Sequence, residues 1–168
     1  MGYLIAIPLL GILAAFQSSI MPALRLQSGQ ADLILLVVLA WAVHARYEES
    51  LWWALVGGIM HDLLSIVPLG ASAFGLLIMV FIIDTIRRAL YQVNWLLWLV
   101  LVVLGTLLSE FIIIVVLAVS GYPSNVGVLL RSFVLPTLAL HIVLALPVYA
   151  LVRFLQARLL RARFTPEV

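Results

Sequence analysis

His61 and Asp62 stand side by side, Ser65 follows about one helical turn later, and Gly57-Gly58 and Pro68-Leu69-Gly70 bracket them. An imidazole, a carboxylate and a hydroxyl are the raw materials of acid–base and nucleophilic chemistry. An ionisable pair set between apolar runs is costly, which makes residues 57–70 the first candidate site. Glu110 is the second candidate. It lies deep in the apolar run at residues 95–119, with Thr106 one turn back and Ser109 beside it. Ionised at a helix centre it would cost roughly 2.5–3.5 kcal/mol, so it needs a proton or a partner, and His141 and Arg131 are the candidates. Polar glue between helices and a functional site both remain open for Glu110. Asp84 precedes Arg87 and Arg88 by three and four residues, the spacing of a local helical ion pair. His44 reaches the interface beside Trp41.

The elements that carry these residues are set by solvent. The chain of 168 residues is 66% hydrophobic and 10% charged, against about 45–50% and about 25% in a soluble domain. Lipid is the expected medium. Six apolar segments follow, near residues 2–20, 31–45, 51–64, 71–86, 95–119 and 133–152, joined by linkers at 22–30, 46–50, 87–94 and 121–130. The fifth exceeds the roughly 20 residues that a bilayer-spanning helix needs. The second and third are short, at about 22 Å of helix each. Either the membrane thins beside them or they end inside the bundle, covered by protein. The first segment lacks a basic n-region and contains Pro8, unlike a cleaved signal peptide.

All nine basic residues are arginine, and the net charge of +2 is too small to point to nucleic acid. With six spans, Arg46, Arg87, Arg88, Arg153, Arg158, Arg161 and Arg163 share one side, while Arg25 and Arg131 lie on the other. The positive-inside rule then places both termini in the cytoplasm. The expected architecture is all-α and polytopic: a six-helix transmembrane domain at 1–152 and a basic amphipathic cytoplasmic tail at 153–168. That tail either lies on anionic lipid or meets a cytoplasmic partner, with Arg153, Arg158, Arg161 and Arg163 making the contact. Trp52, Trp53, Tyr91, Trp95 and Trp98 read as an interfacial aromatic belt.

This topology puts Asp62, Ser65, Pro68 and Gly70 at an outer corner between the third and fourth helices. Two readings of Asp62 stand. Its carboxylate bonds backbone N–H groups at the start of the fourth helix, or Asp62 and His61 face a cavity or a partner helix. Adjacent residues on a helix point about 100° apart, so the two are poorly placed to share one ligand. No triad spacing, no paired histidines on one helix face and no phosphate-binding loop are present, and without cysteine there is no thiol chemistry. No cofactor, no metal and no catalytic residue is expected.

Gly57-Gly58, Asp62-Leu63-Leu64-Ser65 and Pro68-Leu69-Gly70, in this order and spacing, resemble the signature region of the rod shape-determining MreD family. Phe16-Gln17-Ser18-Ser19 at the end of the first helix and Ala31-Asp32-Leu33 opening the second agree with it. The resemblance is firm over residues 11–80; beyond that only hydropathy matches. Ala31 stands where family members often carry proline, and His61 where an apolar residue is usual.

The resemblance implies a non-enzymatic scaffold of the bacterial inner membrane within the cell-wall elongation (rod) complex. It would bind MreC, a single-helix coiled-coil protein, and support RodA–PBP2 and MreB-guided peptidoglycan synthesis. It also implies a bundle similar to the S components of energy-coupling-factor transporters, with an outward cavity near Asp62. Fold likeness alone leaves a second function open: the substrate-binding subunit of a small-molecule (vitamin-type) importer. Against that stands the lack of an alanine-rich, small-residue cytoplasmic helix face on which an ATPase module would dock.

Overall fold

The computed structural model describes residues 2–20, 29–65, 68–90, 94–119, 127 and 130–161. Among them are six α-helices: α1 (Gly2–Ile20), α2 (Leu33–His44), α3 (Tyr47–Leu63), α4 (Ala71–Ala89), α5 (Trp95–Val119) and α6 (Leu135–Arg161). A π-helical turn at Leu130–Val134 leads into α6. The six apolar segments therefore all fold as helices. α3 begins earlier than expected, at Tyr47, because Glu48 and Glu49 occupy its first turn, where carboxylates are favoured. α6 passes without a break through residues 152 and 153, so the described part of the tail, to Arg161, continues the helix of the last apolar segment. Arg25, Tyr91 and Arg163, and most of the 121–130 linker, lie outside the described residues.

The arrangement centres on α2. Every residue from Leu33 to Val43 is buried, and α2 packs against α1, α3, α4, α5 and α6. At about 18 Å it is much shorter than a hydrocarbon core of about 30 Å. Of the two explanations for its shortness, the structure shows the second: α2 ends inside the bundle, covered by protein. A helix apolar on every face is read as buried, and α2 meets that description.

Its C-terminal carbonyls are reached by other helices. Arg87 of α4 donates to Ala42 O at 2.9 Å and also to Ala45 O. Gln156 of α6 donates to Trp41 O at 3.3 Å. His44 Nδ1 lies 3.2 Å from Ala40 O, and its Nε2 lies 3.3 Å from the Tyr149 hydroxyl. The expected local ion pair of Asp84 forms with one of the two arginines. Asp84 holds Arg88 alone, at 2.8 Å, while Arg87 brings its charge to the negative end of α2.

Close packing depends on the glycine pair of α3. A Cβ on Gly58 would stand 2.2 Å from Ala73 Cα and 2.5 Å from Ala73 N, so α3 and α4 touch backbone to backbone. A Cβ on Gly57 would meet Val38 and Ile34 of α2 at 3.0 and 3.1 Å. Trp53 stacks on Trp41 with ring centroids 3.9 Å apart. Trp98 donates to Ala145 O at 3.0 Å. Trp53 and Trp98 are fully buried, which removes them from the expected aromatic belt; Trp52 and Trp95 are exposed. Each buried ring lies on the inward face of a helix whose neighbouring tryptophan faces out.

The outer surface is apolar. Phe74, Phe81, Phe111, Val119, Val143 and Leu151 are all more than 60% exposed. Among the described residues, Trp95–Val116 and Arg131–Arg158 are long and apolar enough to cross a membrane, and only 22% of each is buried. The core helix of a soluble protein would be mostly buried; these present their apolar side chains outward, as lipid requires.

Two outcomes follow. Gly58→Ala must separate α3 from α4 and is expected to cost about 1–3 kcal/mol, whereas Gly11→Ala, with only Met60 Cε at 4.0 Å, is expected to be tolerated. Thermal unfolding in detergent compares them. By the same measurement, Arg87→Ala should lower stability more than Arg88→Ala, since only Arg87 satisfies carbonyls of α2.

Candidate functional site

At the other end of α2 the backbone has the opposite need. The first N–H groups of a helix lack intrahelical acceptors, and those of α2 are enclosed by α1, α3, α5 and α6. Side chains meet them one by one. Gln17 of α1 accepts from Leu33 N at 2.9 Å and Ile34 N at 3.2 Å. Asp32, the N-cap, accepts from Leu35 N at 3.0 Å. The amide of Gln17 donates in turn to the Asp32 carboxylate at 3.3 Å.

The N–H of Asp32 donates to His141 Nε2 at 2.7 Å. A backbone N–H can only donate, so Nε2 carries the lone pair and Nδ1 carries the proton. Nδ1–H then donates to the Thr106 hydroxyl at 2.7 Å. Thr106 passes its own hydrogen to Val102 O at 2.8 Å. His141 is therefore a neutral imidazole with both nitrogens engaged. Its partners are Asp32 and Thr106, and not Glu110 as expected. Arg131 is exposed on the π-helical turn and pairs with no described carboxylate.

The corner between α3 and α4 repeats the logic. Gly70 takes φ +98° at the N-cap of α4 and has no side chain to cap it. Asp62 reaches across from α3, accepting from Gly70 N at 2.7 Å and Ser72 N at 3.2 Å. Of its two readings, the structural one is what the geometry shows. Ser65 donates to Asp62 O at 3.4 Å, closing the end of α3, and Pro68 is exposed in the turn.

His61 lies between the two caps. Its Nδ1 is 2.9 Å from the Ser72 hydroxyl and its Nε2 is 3.4 Å from Asp32 Oδ2. The 100° between His61 and Asp62 sends them to different tasks: Asp62 to the α4 backbone, His61 toward Asp32.

A cavity of about 440 Å³ opens beside these groups, bordered by Asp32, His61, Ser65, Glu110, Thr137 and His141 among others. Asp62, Pro68, Gly70, Gly57 and Gly58 do not line it, so the cavity expected near Asp62 belongs to its neighbours instead. Asp32 and Gln17 are functional in this sense yet stood in the sequence only as pieces of a family pattern. An aspartate immediately before an apolar run is an N-cap signal that identifies Asp32 on physical grounds. Thr137 gave no signal, because the residues it lines the cavity with lie on helices distant in sequence.

Against known families, the one described as rod shape-determining protein MreD matches residues 1–158. The chain belongs to the MreD family. The match extends past residue 80 to the last helix, where hydropathy alone had carried the resemblance. MreD membership brings a role in the determination of rod shape. No curated protein and no solved structure matches the chain.

Asp62→Asn replaces one acceptor oxygen with an NH₂ that faces a backbone donor, leaving a buried N–H without a partner. The expected loss is about 1–3 kcal/mol. Asp84→Asn removes a partly exposed ion pair worth about 0–1 kcal/mol. Equal yields and equal melting temperatures for the two variants would contradict this ranking.

Proposed function

We propose that this chain is a non-enzymatic scaffold of the rod complex in the bacterial inner membrane, crossing it six times with both termini in the cytoplasm. It binds MreC and through it supports RodA–PBP2 and MreB-guided peptidoglycan synthesis. The observation that carries this reading is the MreD family match over residues 1–158. The hydrogen-bond accounting is consistent with it: both carboxylate oxygens of Asp62 and both nitrogens of His141 are committed to positioning helices. A group so committed is a poor general acid or base, which needs a proton free to transfer.

The apolar outer faces of α3, α4 and α5 offer the kind of surface on which a single transmembrane helix packs by van der Waals contact. The seven arginines assigned to one side support cytoplasmic termini by the positive-inside rule. On α6, Arg158 lies 4.6 Å above the Phe154 ring, and Arg153 is exposed beside it. Both fit a helix end at a lipid headgroup layer or against a cytoplasmic partner.

Co-purification is the direct test. Tagged MreC, co-expressed and extracted in mild detergent, is expected to bring this chain with it in a defined ratio. Failure under conditions that retain other membrane pairs would overturn the reading.

A further inference from the structure

The groups around the 440 Å³ cavity divide into spent and unspent. Asp32 caps α2 and meets His61, and His141 has both nitrogens engaged. Glu110, Ser109 and Thr137 also line the cavity, and their side chains have no hydrogen-bond partner among the described residues. Thr137 is only 6% exposed, and it lines this cavity with Glu110 and Ser109. Polar groups that face a cavity and have no protein partner are available to pair with a ligand or water there.

The chemistry of that ligand is constrained. Among the described residues no three metal-binding side chains converge on a point, and the volume is that of an organic ligand rather than an ion. An ionised Glu110 offers only acceptors, and a cation beside it offsets its charge. Two hydroxyls add further acceptors, and the ammonium group of a primary amine has three donors. Leu35, Ile113 and Phe133 form apolar walls next to these groups.

We propose that the cavity binds the primary ammonium group of an amphiphile, with Glu110 as counter-charge and Ser109 and Thr137 as hydrogen-bond acceptors. A phosphatidylethanolamine headgroup and a free small amine share this chemistry. The proposal rests on the cavity's own residues and not on the MreC reading above.

The full chain in detergent is supplemented with phosphatidylethanolamine, phosphatidylcholine or phosphatidylglycerol, and bound lipid is counted by native mass spectrometry. Free ethanolamine is tested in parallel by thermal shift. Retention of phosphatidylethanolamine at least about tenfold over phosphatidylcholine, which has no N–H to donate, supports a lipid source. A thermal shift with ethanolamine that Glu110→Gln abolishes, without lipid retention, supports a free amine. Thr137→Val, which keeps shape and charge, should weaken binding by about tenfold and keeps the test decisive if Glu110→Gln does not fold. Equal retention of phosphatidylethanolamine and phosphatidylcholine overturns the proposal. So does wild-type binding by both folded variants, or no binding of either amine.

Discussion

The structure depends on one constraint: α2 is buried from Leu33 to Val43, so the backbone groups near its ends need protein partners. A buried N–H or C=O without a partner costs about 1–3 kcal/mol. Several stranded at one helix end would equal a large part of the stability of an ordinary domain, about 5–15 kcal/mol. The polar side chains bonded to the ends of α2 answer that demand. Gln17, Asp32 and His141 serve the N-terminus; Arg87, Gln156 and His44 serve the C-terminus. These side chains come from α1, α4, α6 and α2 itself, so closing the ends of one helix also fixes the relative placement of its neighbours.

The same solution fixes α3 and α4. Close approach at Gly58 brings the end of α3 to the start of α4, and only that proximity lets Asp62 stand in for the cap Gly70 cannot supply. His61 then joins this cap to that of α2 through Ser72 and Asp32. The two glycines therefore act on electrostatics as well as on packing. Opening the α3–α4 crossing by one methyl would move the carboxylate of Asp62 away from the N–H groups it neutralises.

Much of this was legible in the sequence, and the parts that were not have a physical reason. Apolar run length located all six helices, because in an apolar medium few other signals compete. Asp62 as a cap followed from its position before Pro68 and Gly70. The pairings of Glu110, Arg87 and His141 did not follow. Local spacing left either arginine open to Asp84 and suggested His141 for Glu110, but Arg87 and His141 are taken by the ends of α2. That competition is tertiary: Arg87 and Ala42 stand 45 positions apart, and Asp32 and His141 stand 109 apart. Trp53 and Trp98 went inward for the same reason, since composition marks a tryptophan as interfacial while only the helix face decides its direction.

Lipid as solvent makes these polar contacts hard to exchange. In water a broken cap is replaced by hydration; inside this bundle the freed N–H has no substitute. The network around α2 should therefore behave as a rigid unit in which α1, α3, α4 and α6 hold fixed relations, with no low-cost rearrangement available to Asp32, Asp62 or His141. Rigidity of that kind keeps the helices in fixed relations. The capacity to respond lies where the accounting is incomplete, on the α5 face carrying Ser109 and Glu110 and at Thr137 opposite. The line between spent and unspent polar groups separates what holds this fold together from what remains free to recognise something else.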